Sequence, residues 1–296
     1  MSFIQDATVL VLYNPKSTGQ SQRNATRFAK KLNKLTGEKQ VILTPTDHPG
    51  HAEQLTYKTA LKSKSLFVVS SSGDGGYNEV VNGALRAQAE GATVVTGLLP
   101  SGNANDHYKA LHKPYVVKRI KAGTVRQVDV LKISSIINGK PWERYAHSYI
   151  GFGMSSEIGK ALNEADLNPA NELLIAAKAF VKFQAFTAKV DGKKQSFQSI
   201  LMSNVGRMSK VLSLSKKAKV DDGLFEFVTS EANKAKFIAT LAKSATIGVP
   251  HEEQRKSYTF ETVEALPVQL DGEVFELDAN SKVRIVVVKH ALGCIV

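Results

Sequence analysis

From Thr8 onward the apolar positions recur in two alternating rhythms. Thr8 to Tyr13 is an unbroken apolar run of strand length, halted by Asn14-Pro15-Lys16-Ser17-Thr18-Gly19. Ala25, Phe28, Ala29, Leu32 and Leu35 then fall at the i, i+3, i+4, i+7 spacing of one helix face, which ends near Gly37. The alternation repeats with a strand at Val41–Leu43, a helix from Gly50 to about Leu61, and a strand at Leu66–Val69. A helix with Val80, Val81, Ala84 and Leu85 on one face follows, then a strand at Thr93–Leu99. Pro100 to Asp106 turns into a last helix through Leu111. Strands alternating with helices predict a doubly wound parallel α/β sheet. Ligands of such sheets bind beyond the carboxyl ends of the strands. The glycine-containing turns after the first, third and fourth strands all lie at that edge and can converge on one ligand.

Near Val128 the rhythm changes. Short β-type runs follow one another at Asp129–Ile133, Tyr145–Ile150, Ala188–Val190, Ile200–Met202, Leu224–Val228, Tyr258–Phe260, Pro267–Leu270 and Val283–Val288. Asn138-Gly139 and Asp191-Gly192 are strong two-residue hairpin signals between such runs. Helical patterns interrupt at Asn171–Phe183 and at Lys234–Ala245. Strands without alternating helices predict a mostly antiparallel β-sandwich. The expected organisation is a nucleotide-binding domain over residues 1–127 and a β-sandwich domain over residues 128–296, with the last residues able to pack back on the first.

Composition narrows the setting. The chain of 296 residues is 43% hydrophobic and 22% charged, ordinary for a folded protein with room for two cores. No apolar run reaches transmembrane length, and Met1–Asp6 has no basic region leading into an apolar core. A lone cysteine, Cys294, leaves no intramolecular disulfide and fits a reducing compartment, so a cytoplasmic location is expected. The 39 Lys+Arg against 27 Asp+Glu give a net charge of +12, which favours an anionic partner. The cations are dispersed, with local groups at Lys113, Lys118, Arg119, Lys121 and Arg126, and at Lys210, Lys216, Lys217 and Lys219. Neither zinc-finger spacing nor an aromatic-interleaved basic motif is present, so a nucleic-acid partner is not expected.

Candidate chemistry centres on Ser71 to Gly83. A strand, a glycine-rich turn and a helix start place backbone N–H groups and a positive helix terminus at one point, where a phosphate fits. Asp74 inside that turn suggests handling of a metal or a proton, although Gly-Asp-Gly also occurs in ordinary βα turns. Ser17 either donates its hydroxyl to a phosphate or caps the helix that follows. Glu79 is explained by the helix dipole without chemistry.

Several segments together resemble the diacylglycerol kinase catalytic-domain superfamily, above all the soluble bacterial lipid kinases, with a loop like that of the sphingosine kinases. Asn14-Pro15-Lys16-Ser17-Thr18-Gly19 resembles the family's Asn-Pro-x-Ser-Gly phosphate turn. Thr46 to Ala52 resembles Thr-x-x-x-Gly-x-Ala, and Ser72-Gly73-Asp74-Gly75-Gly76 resembles Gly-Gly-Asp-Gly-Thr. Leu99 to Asp106 is similar to Leu-Pro-x-Gly-Thr-x-Asn-Asp. Gly151-Phe152-Gly153, Asp222-Gly223-Leu224 and Leu270-Asp271-Gly272-Glu273 extend the likeness through the second domain.

The resemblance implies a kinase that uses ATP and Mg2+ to phosphorylate a hydroxyl of a diacylglycerol-like or sphingoid lipid. It further implies a peripheral enzyme at the membrane surface, acting in lipid metabolism, and a homodimer formed through the second domain. ATP would be held by Asn14, Pro15, Lys16, Ser17, Thr18, Thr46, Ser72, Gly73, Asp74, Gly75, Gly76, Tyr77, Asn78, Gly102 and Asn103. Glu273 would be the general base, with Asp74 beside it in catalysis, though Asp271-Gly272 also reads as an ordinary hairpin turn. Asp222, with the carbonyls of Lys219 and Leu224, would hold a structural magnesium, unless Asp222 is simply a turn residue. Gly76 and Asn103 stand where the family carries hydroxyl residues, which bears on nucleotide affinity. An NAD kinase, or a weakly active nucleotide- or lipid-binding module, are the alternatives.

Overall fold

The structure, a computed structural model, describes residues 6–17, 19–36, 41–111, 124–153, 185–208, 212–231 and 253–295. Thr18, the helix end at Gly37 and the helices expected at Asn171–Phe183 and Lys234–Ala245 lie outside those residues, as do Lys113, Lys118, Arg119, Lys121 and Lys210. The chain forms two compact units, Met1–Asp129 with Lys289–Val296, and Val130–Val288.

In the first unit β1 (Thr8–Tyr13), β3 (Ser65–Ser72) and β4 (Thr93–Pro100) are buried over most of their length, which is why each reads as an apolar run rather than an alternation. With β2 (Val41–Pro45) at the edge they form a parallel sheet in the order β2-β1-β3-β4. The end of β17 (Lys282–Ile295) adds to β4 in parallel through Gly293 and Cys294. The helices are α1 (Ser21–Thr36), α2 (His51–Ser63), α3 (Asp74–Ala89) and the short α4 (Asp106–Leu111).

The crossover from β1 to β2 runs one way along the sheet, and those from β2 to β3 and β3 to β4 run the other. Right-handed crossovers then put α1 on one face and α2 and α3 on the opposite face. Ala25, Phe28 and Leu32 of α1 accordingly share a cluster with Val9, Val11, Phe67, Val69, Val95 and Ile295. The reversal falls between β1 and β3, which makes their carboxyl ends the switch point where open α/β sheets bind ligands.

The second unit is antiparallel. β9 (Lys193–Ser203) pairs on one side with β8 (Phe186–Val190) and then β7 (Tyr149–Gly153), and on the other with β12 (Phe225–Glu231). β7 continues to β15 (Leu266–Leu270) and β16 (Glu273–Leu277), while β8 continues to β14 (Ser257–Thr262) and β17. β5 (Val125–Ile137) pairs β6 (Lys140–Ala146), and β13 (Glu253–Arg255) pairs β12. Their inward residues, among them Ile133, Phe152, Ile200, Phe225, Phe260, Val268 and Ile285, form one apolar cluster. A separate two-stranded ribbon joins β10 (Arg207–Met208) to β11 (Leu212–Ser213).

Three two-residue hairpins share one backbone solution. Asn138-Gly139, Asp191-Gly192 and Asp271-Gly272 carry φ values of 53° and 71°, 49° and 75°, and 50° and 104°. Positive φ at both central residues matches the turn twist to the strand twist, and Asn-Gly and Asp-Gly tolerate it best. One expected strand does not run through. The apolar run Tyr145–Ile150 breaks at His147-Ser148, because the amides there turn away from strand partners onto a buried carboxylate described below.

Candidate active site

The three turns at the carboxyl edge of the first unit meet. Ser17 Oγ donates to the Ser101 carbonyl, and the Gly19 N–H donates to the same oxygen at 3.1 Å. Ser101 N–H donates to the Ser72 carbonyl at 2.9 Å, and Asn24 Nδ2 reaches both the Gly19 carbonyl and Ser101 Oγ at 3.0 Å. The backbones touch closely enough that side chains are excluded. A Cβ on Gly19 would lie 2.4 Å from the Ser101 carbonyl oxygen, and one on Gly102 would lie 2.3 Å from Gly73 Cα.

Within this arrangement the first turn is built by its own polar atoms. Asn14 Oδ1 accepts the Lys16 N–H at 2.9 Å, and the Asn14 carbonyl accepts the Ser17 N–H at 3.1 Å. Pro15 and Lys16 are exposed. Ser17 neither caps α1 nor has its proton free for a phosphate, since that proton goes to Ser101. Ser21 stands at the start of α1 instead, taking the Asn14 N–H at 3.0 Å and donating to the Ser71 carbonyl. Thr46 follows β2 and bonds the Tyr13 carbonyl through its N–H at 2.9 Å, which sets it beside the Asn14 turn.

The glycine-rich segment is tighter than the sequence suggests. β3 extends through Ser72, Gly73 is the N-cap, and α3 begins at Asp74. The first i→i−4 bond is from the Tyr77 N–H to the Gly73 carbonyl at 3.1 Å. The amides of Asp74, Gly75 and Gly76 therefore precede the helix ladder and point out of its positive end. Asp74 is buried, and its Oδ2 and Oδ1 accept the N–H groups of Asp106 and His107 at 3.1 and 3.2 Å. It ties the start of α4 to the start of α3.

Two residues expected to hold ATP have buried side chains. Tyr77 is 1% exposed, with its hydroxyl 2.8 Å from Thr96 Oγ1 and its ring tilted against that of His107, so its side chain belongs to the core. Asn78 is fully buried and receives the Asn82 amide at its carbonyl and Oδ1. Helical periodicity explains both: positions four and five beyond Gly73 have already rotated inward. Glu79, assigned to its own helix dipole, instead accepts the Gly50 and Ala52 N–H groups at 2.7 and 3.0 Å and so caps α2.

In the fourth-strand turn Asn103 is exposed. Gly102 N–H donates to Asn105 Oδ1 at 3.0 Å, and Asn105 Nδ2 returns to the Gly102 carbonyl at 2.7 Å. Asn105 holds φ 53°. Asparagine tolerates that region and supplies both bonds. Asn105, Ser21, Asn24 and Ser101 shape the turns yet were not among the residues expected to build the site. For Asn105 alone was there a signal, an asparagine closing a glycine turn.

The second unit holds the Asp-Gly-Glu hairpin. Asp271 is fully buried, and its carboxylate takes the N–H groups of His147 at 2.7 Å and of Ser148 and Tyr149 at 2.9 Å. His147 Nε2 lies 3.3 Å from Asp271 Oδ2, and His147 Nδ1 lies 2.8 Å from Ser148 Oγ. This cage fixes the turn from which Glu273, half-buried, leaves as the first residue of β16. In the 219–224 segment Asp222 Oδ1 accepts the Leu224 N–H at 3.0 Å, so it does close its own turn. Lys219 is exposed and Gly223 has φ 79°.

The departure at Gly76 now has a physical reading. A Cβ there would lie 2.8 Å from Ser72 Cβ and 2.9 Å from Ser72 Oγ, so serine at 72 occupies the space a side chain at 76 would need. Gly76→Thr alone is expected to cost about 1–3 kcal/mol of stability. Ser72→Gly combined with Gly76→Thr is expected to recover most of that, read as a coupling energy in a thermal-denaturation double-mutant cycle. Additive losses would show that the two positions do not compete.

The diacylglycerol kinase catalytic domain profile matches residues 8–133. A diacylglycerol kinase of Staphylococcus carnosus is 25% identical over 282 residues, covering 89% of this chain and 87% of its own. A diacylglycerol kinase structure from Bacillus anthracis superposes with a TM-score of 0.67 at 19% identity, over 97% of this chain and 96% of that one. Yeast NADH kinase follows the same fold at a TM-score of 0.51 and 9% identity, over 97% of this chain and 82% of that one.

Proposed function

This chain belongs to the diacylglycerol kinase catalytic-domain superfamily, and we propose that it transfers the γ-phosphoryl group of ATP, with Mg2+, to a hydroxyl of a diacylglycerol-like or sphingoid lipid. The observation that carries this reading is the meeting of three glycine turns at the switch point of a parallel sheet, with the N-terminus of α3 among them. Phosphoryl transfer asks a protein mainly for positioning and charge neutralisation. The amides of Asp74, Gly75 and Gly76 supply donors to phosphate oxygens, the exposed Lys16 supplies a cation, and Asn103 and Thr46 supply polar side chains at the same edge. Asp74 keeps the α3 and α4 starts together, and so keeps those amides aimed.

Glu273 takes the proton of the acceptor hydroxyl as the new O–P bond forms. The Asp271 cage holds that carboxylate's turn against the backbone of residues 147–149. Asp222 and the carbonyls of Lys219 and Leu224 are hard oxygen donors of the kind magnesium takes, and they would hold a structural ion. Magnesium on the nucleotide would neutralise charge developing on the phosphates. A cytoplasmic enzyme working peripherally at a membrane, as a homodimer, completes the proposal. Among the described residues no helix is long and apolar enough to cross a bilayer.

The test is transfer from γ-labelled ATP with magnesium to a panel of micellar acceptors: diacylglycerol, monoacylglycerol, phosphatidylglycerol, ceramide, sphingosine and soluble NAD. Label on a lipid is the expected result and names the acceptor class. Label on NAD alone would replace this reading with a dinucleotide kinase. Tight ATP binding with no label anywhere would leave a binding module.

A further inference from the structure

The outer face of α1 differs from the dispersed positive charge of the chain. Arg23, Arg27, Lys30, Lys31 and Lys34 are all exposed, and the helix contains no Asp or Glu. At about 100° per residue these five positions fall within an arc of roughly 100°. Ala25, Phe28, Ala29 and Leu32 occupy the opposite arc and are buried in the core. Arg23 donates to Gln20 Oε1 at 3.0 Å, and none of the five makes an ion pair with a described residue. Among the described residues the stripe is therefore uncompensated along three helical turns.

A second feature adjoins it. β2 is the edge strand, pairing only with β1 among the described residues, and its Ile42 and Leu43 are 41% and 37% exposed. Val41 packs against the cluster that contains the α1 side chains. Strand alternation puts Leu43 on that same face, so a bulky aliphatic borders the cationic stripe. Cations beside exposed aliphatics suit a surface that offers anionic headgroups above hydrocarbon.

We propose that α1 and the β2 edge form the docking face for an anionic bilayer. This rests on the lipid-kinase reading for its purpose, since that reading requires the enzyme to reach an acceptor held in a membrane. Juxtaposed cations each add to surface binding, and the attraction decays within a Debye length. Nucleic acid would also answer the charge, but a nucleic-acid face gains nothing from Ile42 and Leu43 and would use stacking aromatics, absent from this stripe.

The experiment measures co-sedimentation of the full chain with vesicles of phosphatidylcholine containing phosphatidylglycerol, without ATP. Arg27→Gln with Lys31→Gln is expected to weaken binding about 25-fold, roughly fivefold per cation. Ile42→Ser with Leu43→Ser is expected to weaken it further at high salt, where the apolar contribution remains. Lys193→Gln with Lys194→Gln, exposed on the β8–β9 hairpin, is the control of equal charge change. An equal loss in that control would overturn the proposal in favour of diffuse charge. Tighter binding of a single-stranded oligonucleotide than of the vesicles, lost in the α1 variant, would overturn it in favour of nucleic acid.

The two readings fail separately. Labelling of a micellar lipid with vesicle binding indifferent to α1 would remove the docking face and leave the kinase. Vesicle binding that depends on α1, with no lipid labelled, would remove the kinase and leave the face. With both intact, the α1 variant labels a short-chain, water-soluble acceptor at the original rate and a vesicle-held acceptor more slowly.

Discussion

Glu273→Gln is expected to lower the rate of phosphoryl transfer by about 10²–10⁴-fold, the usual contribution of a positioned general base. Glutamine keeps the size and the hairpin but cannot accept the acceptor's proton. The half-buried Glu273 sits at the start of β16 with its backbone in register opposite Leu270, so the substitution leaves the turn intact. ATP affinity and thermal stability should therefore stay near those of the parent protein. The measurement is single-turnover transfer alongside calorimetric ATP binding. Transfer within a few-fold of the parent rate would remove Glu273 from the chemistry and leave Asp271-Gly272-Glu273 as a hairpin only.

Asp271→Asn supplies the contrast, because its effect should run through the fold. Three backbone N–H groups point at the Asp271 carboxylate in a site with no exposure to water. An asparagine amide has one acceptor oxygen and turns its NH2 toward donors, leaving buried N–H groups unpaired. Each such loss is worth about 1–3 kcal/mol. Reduced melting temperature together with reduced transfer is the signature of a residue that holds the turn, while loss of transfer alone belongs to Glu273.

The contrast also shows what the sequence could and could not disclose. Apolar runs such as Val9–Leu12 and Leu66–Val69 announce buried parallel strands because both faces are covered, and Asn-Gly and Asp-Gly announce hairpins because few other pairs tolerate two positive φ values. Both signals are local. The function of Asp271 is not: its donors lie at residues 147–149, far off in sequence, and they break a strand that reads as continuous. Glu79 and Asp74 are alike in this. Each sits on α3 but is used by the start of another helix, α2 or α4. The partners of Ser17 and Ser21 were illegible for a similar reason, since a serine near a helix start has no local cue telling it to bond Ser101 or Ser71 on neighbouring turns. Tyr77 and Asn78 read as part of the loop in sequence, yet one helical turn of periodicity carries their side chains from loop to core.

Gly102→Ala should be the most damaging single methyl in the first unit. The new Cβ would lie 2.3 Å from Gly73 Cα and 3.0 Å from Gly73 N, and neither is a side-chain atom that can rotate aside. Relief requires the third-strand and fourth-strand turns to separate. Overpacking of this kind costs about 1–3 kcal/mol of stability. The loss of ATP affinity should be larger in proportion, on the order of 10²-fold, because a displacement near 1 Å misaligns amides that act only together. Gly91→Ala is the comparison in the same unit. Gly91 has φ 88° and nothing within 4 Å of an added Cβ, so alanine there strains the backbone without touching the turns. It should cost about 1 kcal/mol or somewhat more and leave ATP binding unchanged. Calorimetric titration of ATP into both variants, paired with their melting temperatures, separates the cases. If Gly102→Ala bound ATP as the parent does, the contact between the Gly73 and Gly102 backbones would have no part in holding the nucleotide. If it lost binding while Gly91→Ala, destabilised away from the turns, kept it, the close approach of those two glycines would be what aims the α3 amides at the phosphates.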